Sequence, residues 1–177
     1  MAMNFKQNEA IEILERTPIM LEFLSGLSLN WLTADEGPET WNPVQVLDHL
    51  IEGEKNNWIP RLEAIIREGD STPFPSFDRF AHLKNASEAT IEQKLSEFRT
   101  LRKNNISKMK KLISTDSQFE LTGLHPEFGP VKVRELLSTW VVHDLTHMAQ
   151  ILRVIAKRYK QDVGPWIEYL SILKSER

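Results

Sequence analysis

The row Leu136, Trp140, His143, His147, Ile151 and Val154 constrains this chain more than any other stretch. Its members follow one another by three or four residues, so on an α-helix they share one face. The apolar members turn that face inward, and two imidazoles go in with it. A buried imidazole needs partners for its ring nitrogens. The fold must therefore surround a long helix on this side and supply those partners, from other side chains or from a metal ion. His143 and His147 are four apart, one above the other, the arrangement by which paired histidines on a helix grip one ion.

The rest of the chain offers the helices that do the surrounding. Residues 5–29 repeat Phe5, Ile11, Leu14, Leu21 and Leu24 at helical spacing, and Pro18 predicts a kink or break near Thr17. A polar turn over 35–40 follows. Asn42 is a good N-cap and Pro43 suits the first helical position of a second helix. That helix runs to Gly69 and Asp70, with a kink expected at Pro60. Residues 71–86 carry two prolines and three phenylalanines and read as a loop long enough to cover a site. A third helix is expected over 87–113. Its basic residues, Arg99, Arg102, Lys103, Lys108, Lys110 and Lys111, read as a solvated face. A second loop over 114–130 leads to the fourth helix, 131–159, and a short last helix, 166–173, packs across the end. No repeat, phosphate-binding glycine loop or strand-rich region is visible. The expected fold is all-α: a four-helix bundle with a short C-terminal helix, one domain over residues 1–177.

Composition narrows the function classes. A net charge of −3 gives no general attraction to nucleic acid or to an anionic membrane. No apolar run approaches the roughly 20 residues of a membrane span. Residues 1–15 lack the apolar core of a signal peptide, so the expected location is the cytoplasm. There is no cysteine, which excludes disulfides, thiolate zinc sites and a cysteine nucleophile within the chain.

His49, on the second helix, is the best third partner for the pair, because a bundle can bring it opposite His143 and His147. Three imidazoles without a thiolate leave coordination positions open, the mark of a catalytic rather than a structural site. From the residues alone, a second reading stands beside this one: three ordinary histidines satisfied by hydrogen bonds. Gly53, one turn after His49, provides room for a metal, water or substrate, or else for close helix packing. Asp144 is a candidate to orient an imidazole, or to pair with a cation on a neighbouring helix. Glu52 is a weak candidate for a general base, against an exposed helix glutamate. Trp140 is a candidate pocket wall and Gln150 a candidate partner for bound water. His125 is placed in a turn near the mouth of the site, and His82 on the surface.

These residues resemble a known family. Glu12 to Pro18, Trp41-Asn42-Pro43 with Asp48-His49-Leu50 and Glu54, His125-Pro126-Glu127-Phe128-Gly129, and Thr139-Trp140 with His143 to Gln150 are similar to segments of the DinB-like (YfiT-type) metal-binding bundles. The resemblance covers nearly the whole chain. It implies a divalent ion, zinc or nickel being the expected metals, held by His49, His143 and His147. Members include S-transferases that use low-molecular-weight thiols, a mycothiol-dependent isomerase and proteins described as hydrolases. The expectation is thus a metalloenzyme activating a thiol or water against a small-molecule substrate, with a homodimer as a possible assembly. The alternative is a non-enzymatic, stress-associated metal-binding bundle.

Overall fold

A computed structural model describes residues 4–84 and 87–174. The last two positions of the expected 71–86 loop, and the first three of the N-terminal segment, lie outside the described residues. The helices are α1 (Gln7–Leu21), α2 (Leu29–Leu32), α3 (Pro43–Asn56), α4 (Trp58–Glu68), α5 (Ala81–Lys84), α6 (Ile91–Leu112) and α7 (Val133–Lys157). The bundle consists of α1, the α3–α4 pair, α6 and α7. Both α1 and the α3–α4 pair pack on α6 and on α7, so the spatial order is α1, α6, α3–α4, α7. Among the described residues no helix is long and apolar enough to cross a membrane.

Helix ends follow local chemistry. Asn42 caps α3 as expected: its side chain accepts from the Gln45 N–H at 2.9 Å, and the Gln45 side chain accepts from the Asn42 N–H at 3.0 Å. Thr90 and Gln93 make the same reciprocal pair at α6, so that helix starts at Ile91 and not at 87. The expected first helix ends early, at Leu21, and continues as a 3₁₀ turn and the one-turn α2. The expected kinked second helix is two helices, with the break at Asn57. Pro60 then falls in the first turn of α4, where a missing N–H costs little. The C-terminal helix is a pair of 3₁₀ segments, Gly164–Tyr169 and Ser171–Leu173.

One expected loop holds regular structure. Strands β1 (Thr122–His125) and β2 (Gly129–Lys132) pair antiparallel, with His125 opposite Gly129. Only four residues per strand, one of them proline, left too little alternation to read. The hairpin sits close against α4 at Gly123, where a Cβ would lie 2.6 Å from both Ile65 and Phe74. The 71–84 segment is tied to it by the Phe74 N–H, which donates to the Leu124 carbonyl at 2.9 Å.

The core has two apolar halves with a charged layer between them. One half gathers Leu14, Trp58, Ile106 and Trp140, the other Leu21, Leu50, Phe98 and Ile151. The positions between these on each helix are Pro18 on α1, Glu54 on α3, Arg102 and Asn105 on α6, and Asp144 on α7. Arg102 is 1% exposed, Glu54 2% and Asp144 0%. Arg102 donates to Asp144 at 2.6 and 3.1 Å and to Glu54 at 2.9 and 3.1 Å. Asn105 and the Trp140 indole N–H also donate to Glu54, at 3.0 and 2.9 Å. Pro18 contributes through what it lacks. It has no N–H for the Leu14 carbonyl one turn back, and Arg102 donates to that oxygen at 2.9 Å. Arg102 thus departs from the solvated face expected of it, whereas Arg99, Lys103, Lys108, Lys110 and Lys111 are exposed.

Candidate metal centre

The charged layer sits directly beside the histidine row, because Asp144 follows His143 on α7. The cap at Asn42 sets the phase of α3, and His49 comes out of its second turn facing α7. The ring nitrogens of His49, His143 and His147 lie within 4.8 Å of one another. His49 Nδ1 donates to the Arg79 carbonyl at 3.2 Å, and His147 Nδ1 donates to Gln150 Oε1 at 2.9 Å. Since both partners can only accept, each of these two rings keeps its Nε2 lone pair free for the centre. His143 points Nε2 at His49 Nε2, 3.1 Å away, and its buried Nδ1 has no hydrogen-bond partner among the described residues.

These donors fit a divalent ion. The His49 Nε2 lone pair faces His143 Nε2 at 3.1 Å, so either a neutral His143 donates from Nε2 or a cation sits between the two rings. Protonation is opposed: burial, with smaller contributions from His147 and His82, holds His49 down to about 3. Burial, then His147, His49 and Arg102, holds His143 down to about 2. His147 is lowered as well, chiefly by burial. All three rings are therefore neutral at pH 7, the state a metal requires. Tetrahedral zinc, with Zn–N bonds of roughly 2.0–2.1 Å, would place its ligand atoms roughly 3.4 Å apart, so the 3.1 Å pair would open slightly and any longer separation within the 4.8 Å limit would close.

Neutral buried histidines carry a sign-determined pH dependence. Their folded pKa lies below the unfolded value of 6.5, so below that value the unfolded chain binds more protons and stability falls with falling pH. His49 and His143 each contribute a slope of about 1.4 kcal/mol per pH unit below that point. Urea unfolding of the metal-free protein between pH 7 and pH 4.5 is expected to show steep loss of stability. A flat profile would mean the rings protonate in the folded state.

The triad forms part of the lining of a cavity of about 840 Å³. Its walls are largely aromatic. Trp41 packs 4.9 Å from the His49 ring and 6.1 Å from the His147 ring, and Trp58 lies edge-on to His143 at 5.1 Å. Phe74, Phe77 and Phe80 come from the 71–84 segment, which covers the site as its length suggested. Gln150 lines the cavity, and Trp140 does not. Trp140 is fully buried, stacks on Trp58 at 5.6 Å and bonds Glu54, so it supports the wall from behind. Gly53 also acts through Trp58: a Cβ there would meet the indole nitrogen at 3.2 Å. Because Trp140 backs the Trp58 ring, Gly53→Ala is expected to destabilise by about 1 kcal/mol. The helix-propensity gain of about 1 kcal/mol only partly offsets the overpacking. Equilibrium unfolding in urea checks this.

The other candidates fall as follows. Asp144 pairs with Arg102 and makes no hydrogen bond to an imidazole, which matches the cation-pairing alternative. Glu52 accepts from Asn56 on its own helix at 2.6 Å and is not part of the cavity wall. His125 does both things suggested for it. Its Nδ1 accepts from the Glu127 and Phe128 N–H groups at 3.1 and 3.3 Å, and its ring lines the cavity. His82 is not on the surface. It is 4% exposed and lies edge-on to Trp41 at 4.5 Å, because the covering segment folds its Phe80-to-Leu83 stretch back onto α3. Trp41, Trp58, Arg61 and Arg79 were not singled out for the site from sequence. The one available signal was the dense run of aromatics over 71–80.

Helices enclosing a convergent histidine triad define a helical-bundle protein whose three clustered imidazoles could hold a metal ion. The chain belongs to the DinB superfamily, which it matches over residues 14–151, a span that contains all three histidines. Its structure is similar to that of YfiT from Bacillus subtilis, described as a probable metal-dependent hydrolase with an unusual four-helix bundle topology. The TM-score is 0.75 at 21% sequence identity, covering 89% of this chain and 90% of that one. Among curated proteins no sequence match was found.

Proposed function

We propose that this protein is a metal-dependent enzyme in which His49, His143 and His147 hold one divalent ion, zinc or nickel, at the base of the cavity. The observation that carries this is the convergence of three neutral imidazoles, with two Nε2 atoms 3.1 Å apart, in the wall of a cavity large enough for a small molecule. An ion bound there with open positions acts as a Lewis acid and favours the deprotonated form of a water or an incoming thiol near neutral pH. The chain's own residues do the remaining work. Arg79 O and Gln150 Oε1 fix two rings in the tautomer that presents Nε2. Trp41, Trp58 and the phenylalanines of the covering segment exclude water and hold the apolar part of a substrate. With no cysteine in the chain, a thiol nucleophile has to arrive as a small molecule. Hydrolysis of an ester or amide, or thiol transfer to an electrophile, are the two reactions this arrangement serves. The kinship with a protein described as a probable metal-dependent hydrolase supports the first.

The test is turnover by protein loaded with zinc or nickel, using aryl esters with and without added low-molecular-weight thiols. Activity that requires the metal supports the enzyme reading. Stoichiometric metal with no turnover of either substrate type favours the non-enzymatic metal-binding alternative.

A further inference from the structure

The cavity wall carries a cation that the proposed chemistry leaves unused. Arg153, which also lines the cavity, is committed: its guanidinium donates to Glu36 at 2.7 Å, and Lys157 pairs with the same carboxylate at 2.5 Å. Arg61 has no such partner. Its buried Nε makes no hydrogen bond, and it forms no ion pair among the described residues. Its guanidinium carbon lies 5.6 Å from the Phe74 ring centroid. Burial pulls its pKa below the ordinary value, and Glu127 opposes this without pairing with it. Arg61 is half-buried, and its inaccessible Nε is an unmet donor, which is costly unless something else completes it.

Its placement is consistent with a ligand contact. Arg61 follows Trp58 by three residues on α4, so the two share a helix face, and both line the cavity. Arg61 lies near His125 at the hairpin turn, where its charge, after burial, helps lower the histidine's pKa. The triad and this guanidinium thus belong to one continuous wall. We propose that the cavity binds an organic carboxylate, with Arg61 as the bidentate anchor for the carboxylate and Trp58, Phe74 and Phe77 around its apolar body. This rests on reading the cavity as the substrate site. The planar fork of one arginine matches a carboxylate. A dianionic phosphate calls for more positive charge than this wall has free. Arg79 is exposed at the rim, and Glu39, Glu127 and Glu135 lie nearby and would repel a second negative charge.

The experiment compares binding of 3-phenylpropanoate with that of its neutral amide by calorimetric titration. The full-length protein is used first with metal and then after chelation. The acid is expected to bind about tenfold to a hundredfold tighter than the amide. Arg61→Gln is expected to erase that preference, and Arg61→Lys to restore part of it, while amide binding changes little in either. Arg61→Lys alone decides the matter if Arg61→Gln does not fold, since a point charge without the fork should lose most of the preference. Three results overturn the proposal: equal affinity for acid and amide, a preference unchanged in the variants, or a preference that disappears on chelation. The last would mean the carboxylate was ligating the ion. Arg61-dependent binding without turnover keeps the anchor while the catalytic reading fails, and turnover with no such preference does the reverse.

Discussion

Replacing His143 and His147 together by alanine is expected to abolish stoichiometric metal binding while the chain stays helical. Loss of a partner that merely orients a ligand costs about 10- to 100-fold in affinity, and loss of two of three donors exceeds this by orders of magnitude. Elemental analysis of purified wild type and variant reads the outcome directly, with far-UV circular dichroism confirming the fold. The fold should survive because the apolar halves of the core do not include these rings: Trp140 and Ile151, on either side of them along α7, remain in place. The same variant is expected to lose part of the acid sensitivity of the metal-free protein, since it no longer holds the His143 ring neutral below its ordinary pKa. Metal retained at one ion per chain in the variant would place the site elsewhere. A wild type that takes up neither zinc nor nickel would leave the triad as a hydrogen-bonded cluster and remove the basis for metal chemistry.

The triad was legible because its information is local. His143 and His147 share a helix face by spacing alone, and the Asn42-Pro43 start fixes the phase of the helix that brings His49. The helices were legible for the same reason, through apolar period and caps. What stayed hidden depends on long-range pairing. Arg102 sits among lysines in a basic stretch, and nothing within α6 reveals that Glu54, Asp144 and a carbonyl freed by Pro18 meet it in the core. His82 looked solvated because its neighbours are loop residues, and its burial comes from the segment folding over Trp41. The hairpin was too short to show its period. Arg61 became conspicuous only when the structure revealed its buried Nε without a partner among the described residues.

Arg102→Met is expected to destabilise the protein by about 3–5 kcal/mol, the range for removing one partner from a buried ion pair. The change removes the cation shared by Glu54 and Asp144, both nearly inaccessible to water, and strips a donor from the Leu14 carbonyl. Burial already raises the Glu54 pKa against the opposing pull of Arg102. Without Arg102 the Glu54 carboxyl should rise further and take up a proton on folding. A carboxyl whose folded pKa exceeds its unfolded one favours the folded state at low pH and loses that contribution as pH rises through the folded value. The variant should therefore be least impaired under acid conditions, measured relative to wild type. Adding Glu54→Gln and Asp144→Asn to Arg102→Met is expected to recover much of the loss, because neutral amides leave no uncompensated charge. Urea unfolding of the wild type, single and triple variants at pH 5 and pH 8 provides the comparison. A loss below about 1 kcal/mol for Arg102→Met alone would mean that water reaches the layer and that these groups behave as a surface network. The metal centre is affected too. Asp144 adjoins His143, and Glu54 holds the Trp140 indole that backs Trp58, so metal affinity should fall together with stability in the single variant.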